Sequence, residues 1–348
     1  MRPLIRLNVS LLLVLVCCWS GCGKKSEPAA EVESAANSAP TAGVTSPDYV
    51  VAKVNGTPLT WEEMDRRAMG YLKDDVEVNH LVIPSNRLEE AREHFRRRAI
   101  NAFVFKTVML DEALKRKIAV TEADRQAGLR ALQHTLKSRN WTTNDFFERG
   151  PQPPRMMRRE FEDGLIIDKL LKREVRDKIR VEEAELTEAI GVLHETNQLR
   201  RARLETIRKQ LLDGADFADM ARNVSECPSA KDGGDLGEFA RGKKVKPFED
   251  AAFSQKIGEI GPVIETRFGY HIIKTTSRMP AKVATSTTPA VPETVRASHI
   301  LIKSVPVNRR RLSDTILRRK YNTGVETFFA ELKKKAEITC YLYQDMTF

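Results

Sequence analysis

Cysteine is scarce in this chain, with five in 348 residues, and Cys17, Cys18 and Cys22 crowd into its first stretch. Cys227 and Cys340 stand alone and far apart, which excludes a disulfide framework and a cysteine-based metal site. An excess of one charge is missing as well: 58 basic residues face 48 acidic ones, and both signs are mixed along the helical stretches. Runs such as RRLSD and LKKKAE read as solvated helix faces. No basic patch interleaved with aromatics is present, so nucleic acid is not an expected partner. The longest apolar run, LLLVLVCCW at 11–19, is short of the roughly 20 residues that span a bilayer. Residues 23–48 hold no aromatic side chain. They cannot offset the entropy of ordering, and a flexible tether is expected there.

What the N-terminus does hold is an ordered set of signals. Arg2 and Arg6 precede the apolar run, and Ser20-Gly21-Cys22 follows it, the order of charge, apolar core and small residues of a secretory signal. Ser20-Gly21-Cys22 resembles a lipoprotein processing site, although Trp19 stands where an aliphatic residue is usual. The expected layout is therefore a signal peptide over 1–21 and a tether over 22–48 that starts at a lipidated Cys22. An ordinary cleaved signal is the plainer alternative. Loss of 1–21 takes Arg2 and Arg6 and no acid, so the 58 basic residues become 56 against 48 acidic ones. Gly23 differs from the Asp of inner-membrane retention, which favours the outer membrane if the cell is Gram-negative. The expected location is exported and membrane-anchored, facing the periplasm or the cell exterior.

The folded part opens with a helical region. Val50–Val54 suits a short strand, Asn55-Gly56 a turn, and Thr60 with Glu63 a capping box that starts a helix. A long helix is expected from Leu88 to about Lys117, with Ala99, Phe103, Val108 and Leu114 on its apolar positions, and Thr121 caps the next. Pro154 to Ile179 reads as another, with Met157, Phe161, Leu165, Ile166 and Leu170 on one face. After Val181 more helix runs to Gly214, a fitting C-cap. The remainder alternates short helices, Gly-rich turns and short strands, an α+β pattern.

The stretches GADFADMARNVSECPSAKDGGDLGEFARG, KPFEDAAF, GEIGPV and FGYHIIKTTSR together resemble, in order, the signatures of parvulin-type (PpiC, rotamase) peptidyl-prolyl isomerases over about residues 212–278. Residues 49–190 resemble more loosely the helical chaperone part of SurA-like folding factors. Parvulin domains open on a strand of the form ASHIL, yet no such strand precedes GADFADM here. VRASHILIK appears at 295–303 instead. The expected fold is therefore α+β: a mainly helical SurA-like domain over 49–190 and a small parvulin domain over 191–304. The parvulin domain is a short antiparallel sheet flanked by helices, circularly permuted so that residues 295–304 supply its first strand through the loop 279–294. That loop can reach about 50 Å at ~3.3 Å per residue. A relic of a second repeat is the alternative origin of 295–304. Residues 305–348, a C-terminal helical segment, would return to the chaperone domain.

The resemblance implies roles for particular residues. Cys227 would lie beside the reacting amide with His271 and His299 as a hydrogen-bonded pair. Leu236, Phe248, Lys244 and Phe268 would contact substrate. Read alone, Cys227 is a small hydrophobe and the histidines are satisfied core residues. Lys244 stands where the family commonly has methionine; its stem can cover apolar surface while the ammonium reaches water. Arg309, Arg310 and Arg311 lie where some parvulins bind phosphate, or simply begin an exposed helix. The implied function is isomerisation of Xaa-Pro bonds in unfolded or nascent exported polypeptides, with membrane attachment through the lipid. The alternative is a holdase that binds clients without catalysis. Twisting a prolyl amide calls for no acid, base, cofactor or metal, and none is expected.

Overall fold

The computed structural model describes residues 46–78, 81–150, 152–284, 289–346 and 348. The expected signal peptide, Cys22 and nearly all of the tether lie outside them. Among the described residues no helix is long and apolar enough to cross a membrane. The chain divides into two compact units, 1–179 with 319–348, and 180–318.

In the first unit β1 (Val50–Val54) and β2 (Thr57–Thr60) form an antiparallel hairpin. Its turn needs left-handed backbone at both central positions, which Asn55 (φ 47°) and Gly56 (φ 84°) supply. Helix α1 (Trp61–Val78) follows, and the Glu63 N–H donates to Thr60 Oγ1 at 3.3 Å. Helix α2 (Leu88–Lys115) buries Phe95, Ala99, Ile100, Phe103, Val104 and Met109. Leu114, expected among its apolar positions, is 78% exposed, because nothing in the described chain covers that side of the last turn. Thr121 closes a capping box on α3 (Glu122–Leu136), and α4 (Thr143–Arg149) and α5 (Pro154–Glu174) complete a helical layer. On α5 the buried side chains are Met157, Leu165, Ile167, Leu170 and Leu171. Phe161 and Ile166, which period 3.6 puts on the same face, are only half-buried.

The second unit opens on α6 (Glu183–Leu212), closed by Gly214 in the left-handed region (φ 101°). After α7 (Phe217–Val224) come β3 (Asp235–Ala240), α8 (Lys246–Ser254), β4 (Ile264–Thr266), β5 (Gly269–Met279) and β6 (Thr294–Lys303). The sheet order is β3-β6-β5-β4, with every neighbour antiparallel. The late strand thus lies inside the sheet. It pairs with β5 from Gly269↔Lys303 to Met279↔Thr294, so the connection is that of a hairpin and never has to cross the sheet.

Alternation along the two long strands builds two cores. Tyr270, Ile272, Ile300 and Ile302 face one way and pack with Leu204, Ile207 and Leu211 of α6 and Phe217 of α7. Ile273, Val295 and Ala297 face the other way and pack with Phe239, Phe248 and Phe253. The unit therefore begins at 180, ahead of the expected boundary at 190, since α6 is one cover of its sheet.

Helix α9 (Arg309–Lys333) leads out of the sheet, and β7 (Ile338–Cys340) adds to β1 to give the order β2-β1-β7. Tyr321, Val325, Phe329 and Leu332 are buried in the core of the first unit. Residues 319–348 thus count with the first unit, whereas the expected C-terminal segment began at 305. Residues 305–318 stay with the sheet, where the Asn197 amide both donates to the Val305 carbonyl (3.0 Å) and accepts its N–H (2.8 Å).

Candidate functional site

His271 lies opposite Leu301 and His299 opposite Ile273. The two histidines are thus diagonal neighbours on one face of adjacent strands, close enough for side chains to meet. Their Nδ1 atoms are 3.2 Å apart, and the rings stack at 5.4 Å with 20° between planes. His271 Nε2 is 2.8 Å from Thr266 Oγ1, and that oxygen also accepts the Phe268 N–H at 3.1 Å. Thr266 Oγ1 has two lone pairs and one hydrogen, so the line from Thr266 through His271 to His299 can donate in either direction, according to the tautomers of the two rings. His299 Nε2 ends it, buried and without a hydrogen-bond partner among the described residues.

Both imidazoles are almost out of water, at 3% and 5% exposure. Burial pushes His271 down to about 4 and His299 down to about 3, the latter helped by the charge of His271 and by Lys244. At neutral pH the pair is uncharged, as a relay of single hydrogen bonds requires.

Helix α8 supplies the wall. Phe248 meets both histidines edge-on, with centroids 5.4 Å from His271 and 5.5 Å from His299. Phe239 stands behind it at 6.3 Å, and Leu236 packs half-buried into the same cluster. The result is a small apolar basin of aromatic rings with the histidine pair at its base.

The Cys227 segment is held along the part of β6 that β3 leaves open. The Glu226 N–H donates to the Leu301 carbonyl (2.7 Å), and Ser225 Oγ accepts the Leu301 N–H (3.1 Å). Glu226 Oε2 accepts the Lys303 N–H (2.9 Å), and the His299 N–H donates to the Gly234 carbonyl (2.9 Å). Cys227 itself is half-buried with a free thiol. Among the described residues no three His, Cys, Asp or Glu side chains gather as a metal site would need.

The family model of the PPIC-type PPIase (rotamase) domain matches residues 186–277. A peptidyl-prolyl cis-trans isomerase Pin1 of Arabidopsis thaliana is 44% identical over 87 residues, which are 25% of this chain and 73% of that protein. The chain belongs to the parvulin-type peptidyl-prolyl isomerases. A foldase protein PrsA of Caldanaerobacter subterraneus subsp. tengcongensis is 29% identical over 240 residues, 65% of this chain and 72% of the relative. A chaperone SurA of Burkholderia lata is 26% identical over 319 residues, 82% of this chain and 68% of the relative. The parvulin match ends at Ser277, ahead of the strand that carries His299.

Of the expected site residues in this parvulin, the structure brings together His271, His299, Phe248, Leu236 and Lys244, whose Nζ lies 5.0 Å over the Phe239 ring. Phe268 is half exposed under the Arg267 guanidinium, and its backbone N–H serves Thr266. Arg309 is tied to Glu183. Thr266, Ser225, Glu226 and Gly234 were not legible as site residues: their part is to order the histidines and the Cys227 segment, which short motifs do not announce.

Gly234 gives a test of that ordering. It sits at φ +81°, and a Cβ there would lie 2.3 Å from the His299 carbonyl oxygen, a backbone atom that cannot swing aside. Gly234→Ala is expected to cost about 3 kcal/mol in the urea unfolding of this unit through backbone strain. An unchanged midpoint would show that β6 has slack at His299.

Proposed function

We propose that the protein catalyses cis-trans isomerisation of Xaa-Pro bonds in unfolded, exported polypeptides, while its helical unit holds apolar segments of the same clients. The observation that carries this reading is the uncharged His271–His299 pair under the Phe248 edge. Rotation of a prolyl amide across a barrier of ~18–20 kcal/mol requires loss of double-bond character and no proton transfer. A basin of rings can hold the pyrrolidine, exclude water from the amide and favour the twisted geometry over the planar one. In this reading Leu236 and Phe248 form the proline pocket, with Lys244 and Phe268 as further substrate contacts. Cys227 lies beside the amide, and His271 and His299 shape the base.

The same proposal includes a circular permutation: β6 is the opening strand of the parvulin domain, moved behind its hairpin partner β5. Its support is the position of β6 between β3 and β5 together with the family match that ends ahead of it. A signal peptide over 1–21, a lipidated Cys22 and the tether 22–48 would place the protein outside the cytoplasm, anchored on a membrane. The likeness to proteins named foldase PrsA and chaperone SurA supports an extracytoplasmic chaperone.

A non-catalytic holdase is favoured by one observation, the ammonium of Lys244 over the Phe239 ring behind the basin wall. Two measurements on residues 46–348 separate the readings: the isomerisation rate of an unphosphorylated Xaa-Pro peptide, and suppression of aggregation of a client whose folding is not proline-limited. The isomerase accelerates the first at substoichiometric concentration. A protein that suppresses aggregation and leaves the peptide rate unchanged is the holdase.

A further inference from the structure

Three cationic side chains, Arg241, Lys243 and Lys244, lie between β3 and α8, a fourth, Lys246, opens α8, and their surroundings differ. Lys246 is paired with Asp250 at 2.9 Å, and Arg241 covers the Phe253 ring at 4.2 Å with Glu293 at 3.9 Å. Lys243 and Lys244 have no carboxylate within 4.0 Å among the described residues. Lys243 is exposed, while Lys244 is half-buried. Its ammonium lies 5.0 Å over Phe239, and Phe239 backs Phe248, which touches both histidines. The charge is felt at the base of the basin, where it adds to the depression of His299.

An unpaired ammonium held on the face of an aromatic ring is partly desolvated. Its field is screened less there than at the open surface, and it stands one ring away from Phe248 and the histidine pair. A methionine at this position would offer the entering chain an apolar contact only. A lysine offers the same covering stem and an attractive charge at its end.

We infer that Lys244 sets substrate preference: the site takes Xaa-Pro segments with an acidic residue next to the proline in preference to neutral ones, and disfavours basic ones. This inference rests on the reading of the basin as the prolyl site. The partner is a carboxylate side chain of the client, docked against the Lys244 ammonium, with Lys243 adding long-range attraction. Complementary charge of this kind acts mainly through encounter and specificity.

The test uses residues 46–348 and three peptide pairs that carry Glu, Gln or Lys immediately before or after the proline. Both isomerisation (kcat/KM) and binding (Kd by fluorescence anisotropy) are measured. At low salt the best Glu peptide is expected to exceed its Lys counterpart by about tenfold, and the ratio should shrink to about twofold at ~0.5 M salt, where the Debye length falls to a few Å. Lys244→Met and Lys244→Gln should each bring the Glu, Gln and Lys peptides to within about twofold of one another, whereas Lys243→Gln should keep most of the order. Equal values for the Glu, Gln and Lys peptides in the unmodified chain, or a preference that survives undiminished in Lys244→Gln, would overturn the assignment. If no peptide is isomerised while the Glu peptide still binds best, the catalytic reading fails and the charge preference stands.

Discussion

Lowering the pH from 7.5 to 5.0 is expected to remove about 4 kcal/mol from the stability of the sheet unit, about 2 kcal/mol for each of His271 and His299. In the unfolded chain both imidazoles titrate near 6.5. In the fold burial holds them down to about 4 and about 3. Between these values the unfolded state binds protons that the folded state refuses, so stability rises with pH across this window. It is fully present above about 6.5 and drains away as the pH falls through 5 toward the folded values. Both rings are buried, so solvent screening does little to soften the effect. With total stabilities of about 5–15 kcal/mol, the loss is large. Urea unfolding followed by amide exchange in β5 and β6 at the two pH values measures it. A midpoint that does not move would mean that the pair is already charged or open to water in the folded protein. Replacing both rings by Asn should flatten the pH dependence even if it lowers stability at every pH.

The second large effect is expected at Phe248, which is 3% exposed and touches both histidines. Phe248→Ala removes a ring from the core of Phe239, Phe253, Ile273 and Val295 and should cost about 3–5 kcal/mol. It should also lower kcat/KM for an Xaa-Pro peptide by about 100-fold, a loss of ~2.7 kcal/mol in transition-state binding. Because unfolding alone could produce a low rate, Phe248→Leu is the sharper variant. Leucine keeps most of the apolar volume and should leave the unit folded at 25 °C, yet it cannot offer a ring edge to the two imidazoles. Its activity is expected to drop about tenfold, or ~1.4 kcal/mol. Unreduced activity in Phe248→Leu would show that the proline ring is held elsewhere.

Much of this architecture is local and was readable. Asn55-Gly56 can hardly be anything but a tight turn, because few residue pairs accept two left-handed conformations. Thr121 announces a helix start through an oxygen that reaches the N–H of Asp124 three residues on. Less legible were features that depend on what lies opposite. Leu114 continues the apolar series of α2, but its exposure depends on whether another element reaches that turn. The three residues of β7 are too few for a strand signal, and only the open edge of β1 makes them one. Thr266 reads as an ordinary strand residue until His271 Nε2 is found beside its hydroxyl.

By itself the sequence determined the family, the succession of helices and short strands, and the residue types gathered at the site. Those follow from motif, period and capping, which act within a few residues along the chain. The tertiary structure alone decided that β3 is the second neighbour of β6, that α6 serves as a cover of the sheet, and that Thr266 extends the His271–His299 pair into one line ending at a nitrogen without a partner among the described residues. It also decided that the Lys244 ammonium stands over Phe239 with no carboxylate of the described residues within 4.0 Å. Strand neighbours and side-chain partners are chosen by which apolar faces can be buried together and which polar atoms can be satisfied at once. Those conditions join residues dozens of positions apart.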